Sequence, residues 1–322
     1  MLNLLNKIMN HKCLYCYNEL RDEVDYHEKC SLEFFGTNHP PKMEYSLGDM
    51  DKLAKDVVER SIAIPGVQPK LSLTLVSQSL DQGNAPRLTV VGAMGGNYIF
   101  KPPSIHYPSM PENEHVTMRI AEGFGIPVVM SSLIRLASGE LGYITKRIDR
   151  SKGGGKIHML DMFQILEAFD KYKSSMEKVG KAIGDYSVNT QLDRLYYFEL
   201  ALFCFVSGNS DMHLKNFSMI LSSQGWILSP AYDLLNVSLA NPADNEELAL
   251  TLGAKKRKIG RPQFDELAER LELTARQKDR AYNRLQKNQH TAVDWVEKSF
   301  LPDDVKERYL FIMASRYKQF GM

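Results

Sequence analysis

The run Asn209-Ser210-Asp211-Met212-His213-Leu214-Lys215-Asn216 places a carboxylate and an amide five positions apart. Phosphoryl transfer needs such a pair. The carboxylate orients an attacking hydroxyl and accepts its proton, and the amide oxygen helps hold a divalent cation against the phosphates. The D-x-x-x-x-N spacing is that of a kinase catalytic loop. An Asx-rich turn after a buried helix would also supply these residue types, so spacing alone leaves that reading open. Ser229-Pro230-Ala231-Tyr232-Asp233-Leu234-Leu235 adds a second carboxylate in an apolar setting. Mg²⁺ prefers one or two carboxylates with phosphate oxygens and water, and Asp233 with Asn216 offers that set. The plainer alternative for Asp233 is an N-cap that opens a helix.

A lysine that could meet phosphate comes earlier, in Tyr98-Ile99-Phe100-Lys101-Pro102. The next predicted helix carries Glu114, a candidate ion-pair partner, with Glu112 as the competing choice. A surface lysine at the end of an edge strand is the alternative. Ser61-Ile62-Ala63-Ile64-Pro65-Gly66-Val67-Gln68-Pro69-Lys70 precedes the first predicted strand and is neither a G-x-G-x-x-G loop nor a Walker sequence. Loop, strand lysine, helix glutamate, hinge, D-x-x-x-x-N and second carboxylate nevertheless follow one another in the order of a kinase.

The elements predicted to position these residues fall into two halves. Alternating apolar residues predict strands over 70–76, 88–91, 97–101, 128–136 and 141–145, with a helix over 112–123 among them. A helix is expected over 46–60, with Ser46 as its cap. Ser151 to Lys156 is a glycine-rich break. Beyond it helical spacing predicts 160–169, 174–183, 191–206, 264–271, 274–288, 292–300 and 304–317, interrupted by a β-like island over 217–221 and 226–228. We therefore expect an α+β, two-lobed protein-kinase-like fold with a β-rich N-lobe, an all-helical C-lobe and nucleotide in the interlobe cleft. The expected divisions are a Cys/His-containing segment over 1–45, an N-lobe over 46–146 and a C-lobe over 147–322.

Taken together, Gly66-Val67-Gln68-Pro69-Lys70-Leu71-Ser72, Ile99-Phe100-Lys101-Pro102, Glu112-Asn113-Glu114, Asp211 to Ser218 and Pro230 to Leu235 resemble the HipA family of bacterial serine/threonine kinases, mostly toxins of toxin–antitoxin systems. The resemblance spans roughly 46–320. It implies ATP and Mg²⁺ as cofactors. By it Asp211 is the catalytic base, Asn216 and Asp233 are magnesium ligands, and Lys101 contacts phosphate. Gly66, Val67, Gln68 and Lys70 belong to a nucleotide-covering loop, Glu114 supports Lys101, Lys146 and Ile148 are hinge positions facing adenine, and His213 lies beside the nucleotide. Family members phosphorylate aminoacyl-tRNA synthetases and autophosphorylate a loop serine. That serine aligns here with Ala63, which leaves Ser61 as the candidate autophosphorylation site. About sixty residues precede the loop. This matches a short HipT-like branch, whose missing N-terminal subdomain is a separate inhibitory partner acting with a DNA-binding antitoxin.

Composition narrows the classes. Lys plus Arg is 40 and Asp plus Glu is 39, a net charge of +1, so no global field favours nucleic acid or an anionic membrane. No apolar run approaches the roughly 20 residues of a membrane span, and Met1 to Asn10 lacks the layout of a signal peptide, so a cytoplasmic location is expected. Cys13-x-x-Cys16 and His27-x-x-Cys30 are separated by ten residues, a zinc-ligand spacing. Unpaired thiols packed on the N-lobe with His27 at the surface are the alternative. Lys255 to Lys258 with Arg261 reads as a solvated hairpin tip, and Tyr196, Tyr197, Phe198, Phe203, Cys204 and Phe205 read as core. Two rivals to a protein kinase remain: a pseudokinase-like binding module, and a lipid or small-molecule kinase on the same fold.

Overall fold

Leu71 and Leu73 are buried on one face of strand β1 (Leu71–Val76), as their alternation with polar residues requires. The strand belongs to a computed structural model that describes residues 11–50, 52–53, 70–76, 86–91, 95–104, 107–151 and 153–322. β2 (Arg87–Val91), β3 (Tyr98–Lys101), β4 (Ser131–Arg135) and β5 (Leu141–Lys146) complete an antiparallel sheet in the order β2-β1-β3-β5-β4. Gly96 leads into β3 at φ +77, and a Cβ there would lie 2.5 Å from the Leu73 carbonyl oxygen, so only glycine makes this turn. The turn sets the register in which Phe100 pairs with Leu71 and Lys101 faces Tyr143.

Contacts divide the chain into two units. The first holds the described residues through His115, with Met130–Arg147 and Lys298–Phe300. The second holds Val116–Val129, Ile148–Glu297 and Leu301–Met322. Besides the sheet, the first unit carries helix α1 (Glu28–Phe35) and the opening turns of α2 (Met110–Gly123). Residues 47–50 and 52–53 are helical within the helix expected over 46–60, and 54–60 lie outside the described residues.

The second unit is not helical throughout, contrary to expectation. It carries an antiparallel sheet of β6 (Met159–Asp161), β7 (Ser218–Ser222) and β8 (Gly225–Leu228). The β-like island supplies β7 and β8. β6 lies where a helix was expected, because Leu160 pairs with Met219 across the chain and helix α3 (Met162–Ile165) begins only after it. Asp161 caps α3: its Oδ1 accepts from Gln164 N at 2.9 Å, while Gln164 Oε1 accepts from Asp161 N at 3.1 Å.

Around this sheet lie α4 (Met176–Tyr186), α5 (Thr190–Val206), α6 (Val237–Ala240), α7 (Arg261–Arg270), α8 (Ala275–Lys287), α9 (Gln289–Lys298) and α10 (Asp303–Gln319). α5 is the core element. Tyr197, Phe198, Phe203, Cys204 and Phe205 are fully buried, whereas Tyr196 is only half-buried. Phe203 meets Phe124 edge-on and Phe205 meets Phe264. Among the described residues no helix is long and apolar enough to cross a membrane.

Candidate active site

α5 delivers the chain to the loop that holds Asp211. Its buried aromatic residues fix the helix, and Gly208, at φ +71, turns the chain out of it. A Cβ on Gly208 would lie 2.8 Å from Asn236 Oδ1 and 2.9 Å from Ile312 Cγ2. The Gly208 carbonyl accepts from Ser238 N at 3.1 Å and from Ser238 Oγ at 3.2 Å. The loop then closes on itself. Asp211 N donates to Asn209 Oδ1 at 3.3 Å, and Asn216 Nδ2 donates to the Asp211 carbonyl at 3.0 Å. With its nitrogen so used, the Asn216 amide offers its oxygen as the ligand atom for a cation.

Two residues with no pattern in the sequence complete this loop. The Tyr172 hydroxyl donates to Asp211 Oδ1 at 2.9 Å, and Lys171 Nζ donates to His213 Nε2 at 2.8 Å. An ammonium can only donate, so His213 accepts at Nε2 and, as a neutral ring, carries its proton on Nδ1. Burial and the Asp211 carboxylate push the Tyr172 phenol upward, which keeps it a donor at neutral pH. The Lys171 carbonyl also accepts from Leu214 N at 3.1 Å.

Asp233 lies on a segment pinned at both ends. Before it, the Tyr232 hydroxyl donates to the Lys215 carbonyl at 2.9 Å and accepts from Ser218 Oγ at 2.5 Å. Further back, the Ala231 carbonyl accepts from Val129 N at 2.9 Å. After it, Leu234, Leu235 and Asn236 are buried. Asp233 itself sits at φ +61, in the left-handed region that side chains other than Asn and Asp rarely occupy. The local strain, on the order of 1 kcal/mol, is held by the flanking anchors.

In the first unit Lys101 is 5% exposed and Glu114 2%. Lys101 Nζ lies 2.6 Å from Glu114 Oε1, so Glu114 rather than Glu112 is the glutamate it reaches. Lys101 also stands 5.4 Å from the centre of the Tyr143 ring. Lys146 ends β5 with its side chain on the Glu33 carbonyl at 3.2 Å. Its N–H is committed to the Met130 carbonyl, so a base meeting this residue would meet the Lys146 carbonyl. Lys70 is exposed just before β1, and Ile148 is half-buried beyond β5. Ser61, Gly66, Val67 and Gln68 lie outside the described residues.

Cys13, Cys16, His27 and Cys30 come together in the same unit, with one ligand atom from each within 4.8 Å of all the others. The basic run takes a different course. Lys256 pairs with Glu246 at 3.0 Å and the Arg261 guanidinium stacks 4.3 Å above Tyr282.

The HipA-like C-terminal domain matches residues 62–295. The chain belongs to the HipA-like family. A Haemophilus influenzae protein named as a candidate kinase is 30% identical over 194 residues, covering 56% of this chain and 54% of that protein. The Shewanella oneidensis serine/threonine-protein kinase toxin HipA is 24% identical over 213 residues, covering 59% of this chain and 46% of the toxin. The chain thus matches about half the length of these curated relatives. Among solved structures, Shewanella oneidensis HipA in complex with HipB and operator DNA superposes with a TM-score of 0.66, at 20% identity over 80% of this chain and 65% of that one. The Helicobacter pylori proinflammatory kinase CtkA superposes with a TM-score of 0.50, at 14% identity over 69% of this chain and 87% of that one. These neighbours establish a HipA-like, protein-kinase-like fold.

The HipA-like match takes in Lys101, Glu114, Lys146, Ile148, Asp211, His213, Asn216 and Asp233. It also contains Lys171 and Tyr172, which lie in a polar spacer between helices and carry no periodicity to reveal them. The Cys/His cluster lies outside it.

Proposed function

We propose that this chain is an ATP- and Mg²⁺-dependent serine/threonine protein kinase. One observation carries the reading. The D-x-x-x-x-N loop is closed by the Asn216–Asp211 bond and tied through Tyr232 to a segment that holds Asp233 in a left-handed conformation. An isolated Asx turn would need no hydrogen bond tying it to a second carboxylate-bearing segment.

In this reading Asp211 accepts the proton of the attacking hydroxyl, and Tyr172 fixes the orientation of its carboxylate through Oδ1. Asn216 Oδ1 and Asp233 would hold Mg²⁺, which supplies charge neutralisation on the phosphates. Lys101, paired with Glu114, binds phosphate, and Lys171 holds the His213 ring in one tautomer beside the nucleotide. Gly66, Val67, Gln68 and Lys70 are assigned to nucleotide binding on the family resemblance. The substrate class we favour is a translation component such as an aminoacyl-tRNA synthetase. We further infer a cytoplasmic toxin held in check by a DNA-binding antitoxin and by a small protein resembling the N-terminal subdomain of longer relatives; the HipB and operator DNA bound to Shewanella oneidensis HipA support the antitoxin. Ser61 is the proposed autophosphorylation site.

Incubation with labelled ATP, Mg²⁺ and a cell extract tests the reading. Labelled protein bands are expected with the natural chain and none with Asp211→Gln or Asp233→Gln. Full transfer by either variant would remove the role given to that residue. Label confined to lipid or metabolite would replace a protein kinase with a small-molecule kinase, and no transfer at all would leave a binding module. Intact mass from the same incubation should show one added phosphate that a Ser61→Ala chain lacks.

A further inference from the structure

Among its described residues the opening segment contributes no strand to either sheet, yet Cys13 and Leu14 are completely buried and Tyr15, Tyr17, Tyr26 and Cys30 are nearly so. Its rings pack on Phe34, Phe35, His115 and Phe300, and its hydrogen bonds reach β4, the last strand of the five-stranded order. An edge strand presents unpaired backbone groups that must be covered. Here Leu133 N donates to the Leu14 carbonyl at 3.2 Å, and the Tyr26 hydroxyl donates to the Leu133 carbonyl. A segment of this length buries too little apolar area to hold such a fold by itself.

The four chemistry-bearing side chains sit where a staple would act. Cys13 and Cys16 flank a tight turn in which Tyr17 N donates to the Cys13 carbonyl at 2.9 Å and Tyr17 adopts φ +62. His27 is the N-cap of α1, and Cys30 lies three residues on, so both project from the same end of one helix. His27 Nε2 lies 3.0 Å from the Glu19 carbonyl oxygen. A carbonyl only accepts, so the proton is on Nε2 and, in the neutral ring, the lone pair is on Nδ1. Nδ1 points at Cys16 Sγ, 3.5 Å away, and Cys30 Sγ, 3.7 Å away. A tetrahedral zinc with bonds of about 2.3 Å to sulfur and 2.0–2.1 Å to nitrogen would set nitrogen and sulfur about 3.6 Å apart. A backbone carbonyl that fixes the non-ligating nitrogen is also the usual outer partner of a metal-bound histidine.

We propose that Cys13, Cys16, Cys30 and Nδ1 of His27 bind one structural Zn²⁺ that clamps the opening segment over the edge of β4. The clamp fixes the turn from which the Tyr17 hydroxyl donates to His115 Nδ1 at 2.7 Å. His115 Nε2 in turn lies 3.3 Å from the Ser131 carbonyl oxygen, and Glu114 is the preceding residue. The zinc therefore braces the start of α2, where Lys101 finds its partner. That consequence rests on the kinase reading for its meaning, whereas metal binding does not.

Elemental analysis of the reduced, full-length protein, purified without chelator, should find one zinc per chain. Cys16→Ser should lose it, His27→Cys should keep it, and Cys204→Ser, altered in the core of the second unit, should keep it. Co²⁺ exchanged into the natural chain should give a tetrahedral ligand-field spectrum that changes in His27→Cys. Removing the metal should speed hydrogen exchange at the Leu14 and Leu133 amides. No zinc in the natural chain even after added Zn²⁺, zinc retained by Cys16→Ser, or a Cys13–Cys16 disulfide in its place would overturn the site. Unchanged exchange at Leu133 on metal removal would overturn the clamp. These readouts stand whether or not the chain transfers phosphate.

Discussion

Lys101 and Glu114 form an ion pair that water barely touches. Burying two charges costs several kcal/mol apiece, and a good contact returns that cost without much surplus. A well-packed apolar pair would serve stability as well or better, so the pair is better explained by a task than by folding. Two outcomes separate these explanations. Glu114→Leu alone removes the carboxylate 2.6 Å from this buried ammonium and should lower unfolding free energy by about 3–5 kcal/mol. Lys101→Met with Glu114→Leu should regain most of that in urea denaturation while leaving no phosphoryl transfer. A double variant no more stable than Glu114→Leu would make the pair structural. The sequence offered two glutamates for this lysine. Helical geometry alone does not choose between Glu112 and Glu114, because the choice depends on how α2 lies against β3.

At the scale of elements, strands and long helices were legible because their periodicities are strong. The strand expected over 70–76 is β1, that over 97–101 is β3, and the helix over 191–206 is α5, each to within a residue at either end. β6 was not legible. Three residues carry too little pattern, and their partner in β7 lies some sixty residues away. The strand order also depends on pairings that no local pattern encodes. Within the candidate site the acidic and amide positions could be read from spacing, but Tyr172 and Lys171 could not, since their partners are set by the fold. Tyr232 shows how an element positions chemistry. It was read as an apolar flank, yet its hydroxyl joins the Asp233 segment to Lys215 and Ser218. Burial pushes this phenol well above its ordinary range, so it stays protonated and able to donate at neutral pH. Tyr232→Phe should cost about 1–2 kcal/mol through the stranded carbonyl. More diagnostically, it should raise the Mg²⁺ concentration for half-maximal transfer several-fold with little change in kcat at saturating Mg²⁺. Ser218→Ala, which leaves the Lys215 bond in place, should shift that concentration less. An unchanged Mg²⁺ requirement in Tyr232→Phe would mean that the tyrosine merely packs.

At the scale of the whole molecule, the proposed kinase draws on both units. Lys101 and Glu114 belong to the first, while Asp211, Asn216 and Asp233 belong to the second. If Lys101 and Asp233 serve the same nucleotide, their contributions to binding are coupled; if they serve different ligands, they are not. A double-mutant cycle on the Kd for ATP in saturating Mg²⁺ distinguishes these cases, because groups acting on independent sites add to within about 0.5 kcal/mol. Lys101→Met and Asp233→Asn should each weaken ATP binding by an order of magnitude or more. On the kinase reading, the combined loss should fall short of the product of the two effects, with a coupling of about 1 kcal/mol or more, because that reading has both groups act through the charge on one triphosphate. Calorimetric titration of the four proteins supplies the numbers. Lys101→Met retains its aliphatic bulk, and melting curves without ligand identify any loss of folded protein. Strict additivity, or ATP binding indifferent to either change, would separate the buried lysine from the acidic loop and end the kinase reading, whatever the resemblance of the chain to its relatives.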